Sequence, residues 1–320
     1  MKPPFSYTAK IIEKVAAISE LLGSVKTRGL TIPSPQLRKN NQIKTIFSTL
    51  AIEGNTLSES QISDVIHGKR VRGKASEILE VKNALKLYEQ IKKFKYYSLK
   101  DFLRAHKILM MNLVPDAGKF RNKNVGILDG KRVVHAAPSP KIVPEKINEV
   151  FSWLKTDKET HLLLKSCIAH YEIEFIHPFM DGNGRMGRFW QTLILKELNS
   201  IFIHLPIESI IKDNQKKYYE SLRKSDKSGE STVFTEFMLN VIELSLLEFI
   251  ENSPNTNNIQ EQRLQLAKVE FEKIQFSRQE YLRAMPEIST ATASRDLRRW
   301  IDTGVLYKTG EKNQTRYFFK

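Results

Sequence analysis

The sequence is 320 residues long and 41% hydrophobic, enough to bury one large core and still supply a small second domain. Its 51 Lys and Arg outnumber 36 Asp and Glu, and this net charge of +15 favours nucleotides, nucleic acids and acidic protein surfaces without choosing among them. One cysteine, Cys167, excludes a disulfide framework and a cysteine-based zinc site. Since the sequence has no apolar run of about 18 residues and no signal-peptide core, we expect a cytoplasmic protein that does not engage a membrane.

Apolar residues at helical spacing dominate the chain. In the N-terminal part, Ile11, Val15, Ile18 and Leu22 recur at this period. Further helical stretches cover roughly residues 78–91, 100–113, 144–154, 160–175, 186–198, 215–223 and 233–252. The pattern predicts a mainly α fold, with an N-terminal helical region over residues 1–95 and a helical core over residues 96–252.

One segment near the middle, residues 122–136, interrupts the helical pattern. Asn124–Leu128 and Lys131–His135 have the character of short strands. Between them, Asp129-Gly130 suits the positive φ angles of a tight hairpin turn. The sequence therefore predicts a two-stranded flap over residues 122–136.

The composition turns polar over Glu251–Asn258, which indicates a linker or a long turn before a small C-terminal domain. Ser289 or Thr290 can cap a helix in that domain. Two helices and two strands are predicted there, over residues 277–284, 290–301, 305–309 and 315–319. This order of elements predicts a winged-helix-like domain over residues 260–320.

The chemistry is concentrated in the twelve-residue run from His177 to Arg188. Because Pro178 cannot continue a helix, we expect His177 at a chain reversal with its imidazole free to project. With an ordinary pKa of about 6.5, that imidazole can accept a proton from a hydroxyl at neutral pH. Asp181 is the only carboxylate in the run and can supply one oxygen ligand to a nucleotide-bound Mg²⁺.

The glycines of the same run permit a tight path into the following helix, whose first N–H groups and dipole favour an anion. Arg185 and Arg188 add positive charge to the first turn, so the run predicts a polyphosphate site. A dinucleotide fingerprint also contains this glycine spacing, but Pro178 and Asp181 replace the apolar strand that should precede it. A purely structural helix entry remains the plainer alternative, although it needs neither His177 nor two arginines.

This run resembles the signature of the Fic family at ten positions: His177, Pro178, Phe179, Asp181, Gly182, Asn183, Gly184, Arg185, Gly187 and Arg188. The resemblance implies a Fic helical bundle that transfers AMP from ATP to a Ser, Thr or Tyr hydroxyl of a target protein. His177 would deprotonate that hydroxyl, and Asp181 would hold Mg²⁺. The implied nucleotide-binding residues are Gly182, Asn183, Gly184, Arg185, Met186, Gly187 and Arg188.

Two further segments resemble parts of Fic proteins. The flap over residues 122–136 lies where these proteins pair with the target backbone, which implies docking by β-augmentation. Asn214, Tyr218 and Tyr219 resemble the segment that closes over the nucleoside, which adds them to the implied nucleotide-binding set.

The segment from Thr49 to Asn55 resembles the inhibitory motif of Fic proteins, which implies an inhibitory helix over about residues 41–54. Glu53 lies in the last turn of that helix, where the dipole disfavours a carboxylate unless a cation faces it. The resemblance makes Arg188 that cation and implies that the pair occupies the place of the γ-phosphate.

Other functions stay open at this point. The same loop could transfer phosphate, as in the related Doc toxins, or remove AMP from a modified protein. A DNA-binding regulator is a different class of function, based on Arg295, Arg298 and Arg299 in the C-terminal domain. Self-modification and a homo-oligomer are further expectations.

Overall fold

The computed structural model describes residues 2–28, 30, 33, 35–129, 132–253, 256–271, 274–286, 288–311 and 314–319. The chain forms two compact units, Met1–Asn252 and Ser253–Lys320. Within the described residues there are fourteen α-helices and two antiparallel strand pairs, so the prediction of a mainly α fold is confirmed. No helix in this part of the chain has the length and apolar content needed to cross a membrane.

The first unit contains eleven α-helices and one hairpin. The helices are α1 (Ala9–Thr27), α2 (Pro35–Ile52), α3 (Glu59–Ile66), α4 (Ala75–Glu89), α5 (Leu99–Leu109), α6 (Val143–Thr156), α7 (Leu162–Ile176), α8 (Asn183–Leu198), α9 (Ile207–Asp213), α10 (Gln215–Ser228) and α11 (Thr232–Asn252). Short 3₁₀ helices cover Ile91–Lys93 and Ser200–His204. The hairpin strands are β1 (Gly126–Asp129) and β2 (Arg132–Ala136).

The helix pair α7 and α8 lies at the centre of this unit. Both helices are buried on nearly all sides, and α8 carries polar side chains such as Arg185, Arg188 and Gln191 into the core together with its apolar ones. Trp190 in α8 is fully buried, with ring centroids 5.1 Å from Phe102 and 5.6 Å from Phe151. Burial of each large apolar side chain stabilises the fold by roughly 1.5–3 kcal/mol, so this pair makes a rigid base for the loop that joins it.

The turn that joins α7 to α8 has an unusual backbone. His177 follows the last residue of α7 with φ 50° and ψ 60°, a left-handed conformation that is uncommon for a residue other than glycine. Gly182 caps the start of α8 with φ 85°. The predicted chain reversal at His177 is therefore present, and it is compressed into the six residues between two buried helices.

The flap has the predicted place in the chain with slightly different strand bounds. β1 begins two residues later than the predicted strand, and the pairing shifts between Ile127 and Leu128, which gives the hairpin an irregularity. Asp129 pairs with Arg132 at its end. The turn residue Gly130 and its neighbour Lys131 lie outside the described residues.

The second unit contains α12 (Thr256–Phe271), α13 (Arg278–Ala284), α14 (Thr290–Asp302), β3 (Leu306–Thr309) and β4 (Arg316–Phe319). Ser277 caps α13 in a capping box with Glu280, and Ser289 caps α14. The division between the two units falls inside the predicted linker Glu251–Asn258, but the linker bounds were too wide, because α11 ends at Asn252 and α12 begins at Thr256.

The core of the second unit is held by aromatic packing and one buried ion pair. Phe276 stacks on Phe271 with ring centroids 4.3 Å apart. Arg263 in α12 makes two hydrogen bonds of 2.7 and 2.9 Å to Asp296 in α14, which also accepts the Tyr281 hydroxyl. These contacts tie three helices together, while the winged-helix assignment stays a prediction.

Candidate active site

The predicted base, His177, sits at the C-terminal end of α7. Its backbone N–H donates to Ile173 at 3.0 Å and completes the helix. Its carbonyl oxygen points away from the helix and accepts Nε–H of Arg121 at 2.7 Å. The left-handed backbone of His177 and the following Pro178 end α7 at this point, and the projecting imidazole stays a prediction.

Between His177 and α8 the loop is closed by the side chain of Asn183. This buried amide accepts the N–H of Phe179 at 2.9 Å and donates to the carbonyl of Phe179 at 2.9 Å. Phe179 is itself fully buried and anchors the loop. Asn183 thus shapes the loop from within, and its side chain is not presented to a nucleotide.

A residue that the sequence analysis missed, His106 in α5, supports the same loop. Its ring stacks on Phe179 with centroids 3.5 Å apart and an interplanar angle of 4°. Nδ1 accepts the N–H of Gly118 at 2.8 Å, so in the neutral ring Nε2 carries the proton and donates to the carbonyl of Asp181 at 3.0 Å. Burial lowers the pKa of His106 to about 4, which keeps this tautomer neutral at physiological pH.

The predicted metal ligand, Asp181, is already engaged through one oxygen. Oδ1 accepts the N–H of Gly182 at 2.5 Å and pairs with Arg185 at 2.9 Å. Arg185 is buried and also reaches Glu80 at 3.4 Å. The Asp181 side chain is 51% exposed, so it can still supply one ligand to a nucleotide-borne Mg²⁺. Among the described residues, no group of three His, Cys, Asp or Glu forms a metal cage.

The two residues of the predicted inhibitory contact, or brake, are Glu53 and Arg188, and they touch each other. Arg188 Nη2 lies 2.6 Å from Glu53 Oε1, although the two residues are 135 positions apart in the chain. The same guanidinium donates to the Thr49 hydroxyl at 2.9 Å and to the Thr49 carbonyl at 3.1 Å. Burial opposes the charge of Arg188, but nearby Glu53 more than offsets this and raises its pKa above the ordinary value.

Gly184 explains why these groups can meet. A Cβ atom at this position would lie 2.5 Å from Glu53 Oε1, 3.1 Å from Arg188 Nη1 and 3.2 Å from Glu174 Oε1. A side chain here would have to displace at least the carboxylate of Glu53. Glycine leaves room for two carboxylates and a guanidinium to converge on the first turn of α8.

Glu174 in α7 is the second of those carboxylates, and the sequence analysis missed it. Its Oε1 accepts the hydroxyl of Tyr218 at 2.8 Å. Burial opposes ionisation, but His170, Arg188 and His177 together lower the pKa of Glu174 to about 2. Its position one turn before His177 on the same helix face was the available signal.

Two residues of the predicted nucleotide-binding set, Met186 and Gly187, are engaged in packing inside the protein. A Cβ atom on Gly187 would lie 2.5 Å from the ring of His170, so this glycine permits close packing of α7 on α8. Met186 is fully buried, and its N–H already bonds the carbonyl of Gly182. Both residues therefore contribute to the packing around α8.

The three predicted nucleoside-binding residues at α10 also differ in their exposure. The amide of Asn214 donates to the carbonyl of Ile210 at 3.0 Å. Tyr218 is fully buried, with its hydroxyl 2.8 Å from Glu174 and 3.1 Å from Nε2 of His170. Tyr219 is 42% exposed, so of these three side chains it is the one most available to a ligand.

A buried acid, Glu208, packs behind the brake. It lies at the start of α9, which packs against α2, and accepts the hydroxyl of Tyr88 at 2.9 Å. Burial raises its pKa from 4.5 to about 7. Between pH 4.5 and 7 the folded state holds this proton and the unfolded chain has lost it, so the free energy of unfolding falls as the pH rises through that window.

We predict that the substitution Glu208→Gln increases the free energy of unfolding more at pH 8 than at pH 4.5. Because a shift of one pKa unit is worth about 1.4 kcal/mol, the difference should approach about 3 kcal/mol. Urea unfolding at the two pH values measures it. Glu89→Gln, at an exposed position, is the control. Equal effects of Glu208→Gln at both pH values would show that the acid titrates normally.

Comparison with known proteins adds family evidence to this geometry. Residues 96–195 match the Fic/DOC family. The curated protein adenylyltransferase Fic of Aedes aegypti is 28% identical over 247 residues, or 74% of this chain and 47% of that protein. Protein adenylyltransferase fic-1 of Caenorhabditis elegans is 29% identical over 64% of this chain and 40% of that protein. The chain thus spans half or less of the length of these two relatives.

Solved structures show a similarity that extends beyond the core. A fragment of Fic-1 from Caenorhabditis elegans matches with a TM-score of 0.59 and 25% identity, over 74% of this chain and 73% of that chain. A Fic family protein from Desulfovibrio desulfuricans G20 matches with a TM-score of 0.75 and 35% identity, over 100% of this chain and 98% of that chain. With this identity along its whole length and a family match over its core, the chain belongs to the Fic family.

Proposed function

We propose that this protein is a protein adenylyltransferase, which transfers AMP from ATP to the hydroxyl of a Ser, Thr or Tyr residue in a target protein. The observation that carries the proposal is the loop between α7 and α8. This loop joins the candidate base His177, at the end of α7, to the N-terminus of α8, the helix that carries Arg188. Relatives named protein adenylyltransferase support the same reaction.

The proposed step is a displacement at the α-phosphorus. His177 accepts the proton of the target hydroxyl, and the oxygen bonds to phosphorus. The bond between that phosphorus and the bridging oxygen breaks, and pyrophosphate leaves. The unpaired N–H groups of the first turn of α8 and the charge of Arg188 bind the phosphates. Mg²⁺ on the nucleotide would neutralise phosphate charge when bound, and Asp181 would supply one of its ligands.

The contact between Glu53 and Arg188 supports a built-in brake. Arg188 takes its carboxylate partner, Glu53, from the end of α2, whereas Arg185 pairs with Asp181 of the loop and with Glu80 of α4. While its guanidinium is bound by Glu53 and Thr49, it is not available to the terminal phosphate of ATP. The protein is therefore held in a state of low activity until Glu53 moves away.

Further parts of the proposal concern the target. The flap over residues 122–136 would pair with an extended segment of the target and present its hydroxyl to His177. The modified protein could be a second copy of this chain, which makes self-modification and a homo-oligomer part of the proposal. A cytoplasmic location fits a chain whose one cysteine, Cys167, is buried and has its pKa raised to about 12 by that burial.

Label transfer from ATP tests the reaction. We expect label on protein from α-labelled ATP and none from γ-labelled ATP, whereas Doc-like phosphotransfer would give the reverse. His177→Ala should lower the rate by about 10²–10⁴-fold because it removes the proton acceptor. ATP binding should survive in this variant, since the phosphate-binding groups remain. If His177→Ala keeps more than half of the wild-type rate, His177 is not the base. Release of AMP from a modified protein would favour the reverse reaction.

DNA binding is a second candidate function, and a groove within the C-terminal unit favours it. The groove lies between α13, α14 and the β3–β4 hairpin, with a volume of about 1070 Å³. Its basic lining residues are Arg278, Arg298, Lys308 and Arg316. Asp302 is the acid that lines it, and Glu280 pairs with Arg316 at 2.7 Å. Four cations around one groove can neutralise phosphates of a nucleic-acid backbone.

The structure changes which arginines matter for this candidate. Arg298 lines the groove, as the sequence prediction requires. Arg299 donates to the side chain of Gln260 in α12, and Arg295 lies along its own helix, with Nε 3.4 Å from the carbonyl of Ala291. The groove therefore replaces the helix face as the proposed contact surface.

We expect the full chain to shift random duplex DNA at low salt. Arg278→Ala with Arg298→Ala and Lys308→Ala should weaken binding and reduce the salt slope by about one unit per lost phosphate contact. Arg295→Ala with Arg299→Ala is the matched control and should keep most of the affinity. No shift by wild type at low salt, or equal losses in both variants, would contradict the groove and leave protein docking as its use.

A further inference from the structure

The side chain of Arg121 lies between the flap and the turn that carries His177. Arg121 follows α5 and precedes β1 in the chain, and it is only 3% exposed. Its backbone N–H donates to the carbonyl of Pro178 at 2.9 Å. Burial lowers its pKa, which remains far above physiological pH, so a full positive charge is held inside the protein.

The partners of this buried cation are backbone carbonyl oxygens from two parts of the chain. Nε donates to His177 at 2.7 Å, and one of the Nη2 hydrogens reaches Ile176 at 3.4 Å. Nη1 donates to Lys123 at 2.9 Å, and Nη2 also donates to Pro138 at 2.5 Å. The planar fork of arginine can meet divergent acceptors in this way, whereas a lysine ammonium on a flexible stem cannot.

The acceptors of Arg121 lie on both stems of the hairpin and on the turn that carries His177. Lys123 lies three residues before β1, and Pro138 lies two residues after β2, so both stems of the hairpin are bound. His177 has the left-handed backbone, a sparsely populated conformation that persists only where its surroundings enforce it. Arg121 bonds the carbonyl of that residue and, through its own N–H, the carbonyl of Pro178.

We propose that Arg121 is a positioning residue that fixes the imidazole of His177 relative to the flap. It does not touch the reacting atoms. By binding both hairpin stems and the backbone of the strained turn, it sets the distance between a target strand paired to the flap and the base that must accept the target's proton. This inference rests on the proposed adenylyl transfer and names the residue that joins target docking to proton transfer.

The principal test compares Arg121→Ala with Arg104→Ala. Arg104 in α5 is a matched control, because it also donates to a backbone carbonyl, that of Lys93 at 3.0 Å, but lies outside the loop. We expect Arg121→Ala to lower kcat for target modification by about 10²-fold, the usual effect of a misplacement near 1 Å, while ATP binding changes little. Added guanidinium at non-denaturing concentration should restore activity to Arg121→Ala, methylammonium should not, and Arg104→Ala should need neither.

Two further results keep the proposal falsifiable. Arg121→Lys keeps the charge but not the fork, so it should resemble Arg121→Ala; an Arg121→Lys rate equal to wild type would overturn the positioning role. Hydrogen exchange needs no activity: Arg121→Ala should speed exchange at residues 122–125 and 176–180 together, and exchange that changes at one segment alone would overturn the coupling. If wild type transfers no label but this joint effect is seen, the proposed reaction fails while the coupling stands.

Discussion

A buried guanidinium must be compensated, and the arrangement around Arg188 follows from that requirement. The residue is 2% exposed, and its partners are the Glu53 carboxylate together with the hydroxyl and carbonyl of Thr49. Glu53 lies just past the end of α2, where the helix dipole alone would disfavour a carboxylate. Each group thus corrects an unfavourable feature of the other, and Gly184 leaves the space in which they meet.

The proposed inhibition requires this contact to be reversible. A charge-assisted hydrogen bond contributes about 1.5–3 kcal/mol, enough to keep the competent state to a small fraction without making it inaccessible. When Glu53 departs, Glu174 on the rigid helix α7 remains near the guanidinium, so the positive charge is not left without a carboxylate. The terminal phosphate of ATP would then replace the carboxylate of Glu53 with another anion.

The sequence predicted the local features of this site well, because they depend on residues close together in the chain. Pro178 ends α7 at His177, and glycines open the path into α8, as their backbone preferences require. The partner of Arg188 came from resemblance alone, since no spacing rule links positions 135 residues apart. The start of α12 was missed because polar residues at a helix end look like a linker when read without the packing of Ala267 and Phe271.

The residues that support the loop could not be predicted from the sequence. His106, Arg121 and Glu208 make their contacts with segments far away in the sequence, and an isolated histidine, arginine or glutamate is more often a surface residue. Tyr218 was associated with the nucleoside, but its hydroxyl is committed to Glu174 and His170. In each case the role of the polar side chain depends on its burial, and burial is set by the fold of the whole chain.

The central claim is that the Glu53–Arg188 contact holds the enzyme in an inactive state, and the rate of label transfer from α-labelled ATP by Glu53→Gly tests it most directly. The rate should rise by about one to two orders of magnitude over wild type. Adding His177→Ala to Glu53→Gly should abolish it, and Glu89→Gly, at the end of α4, should leave it unchanged. A folded, ATP-binding Glu53→Gly protein that shows no gain over wild type would contradict the claim.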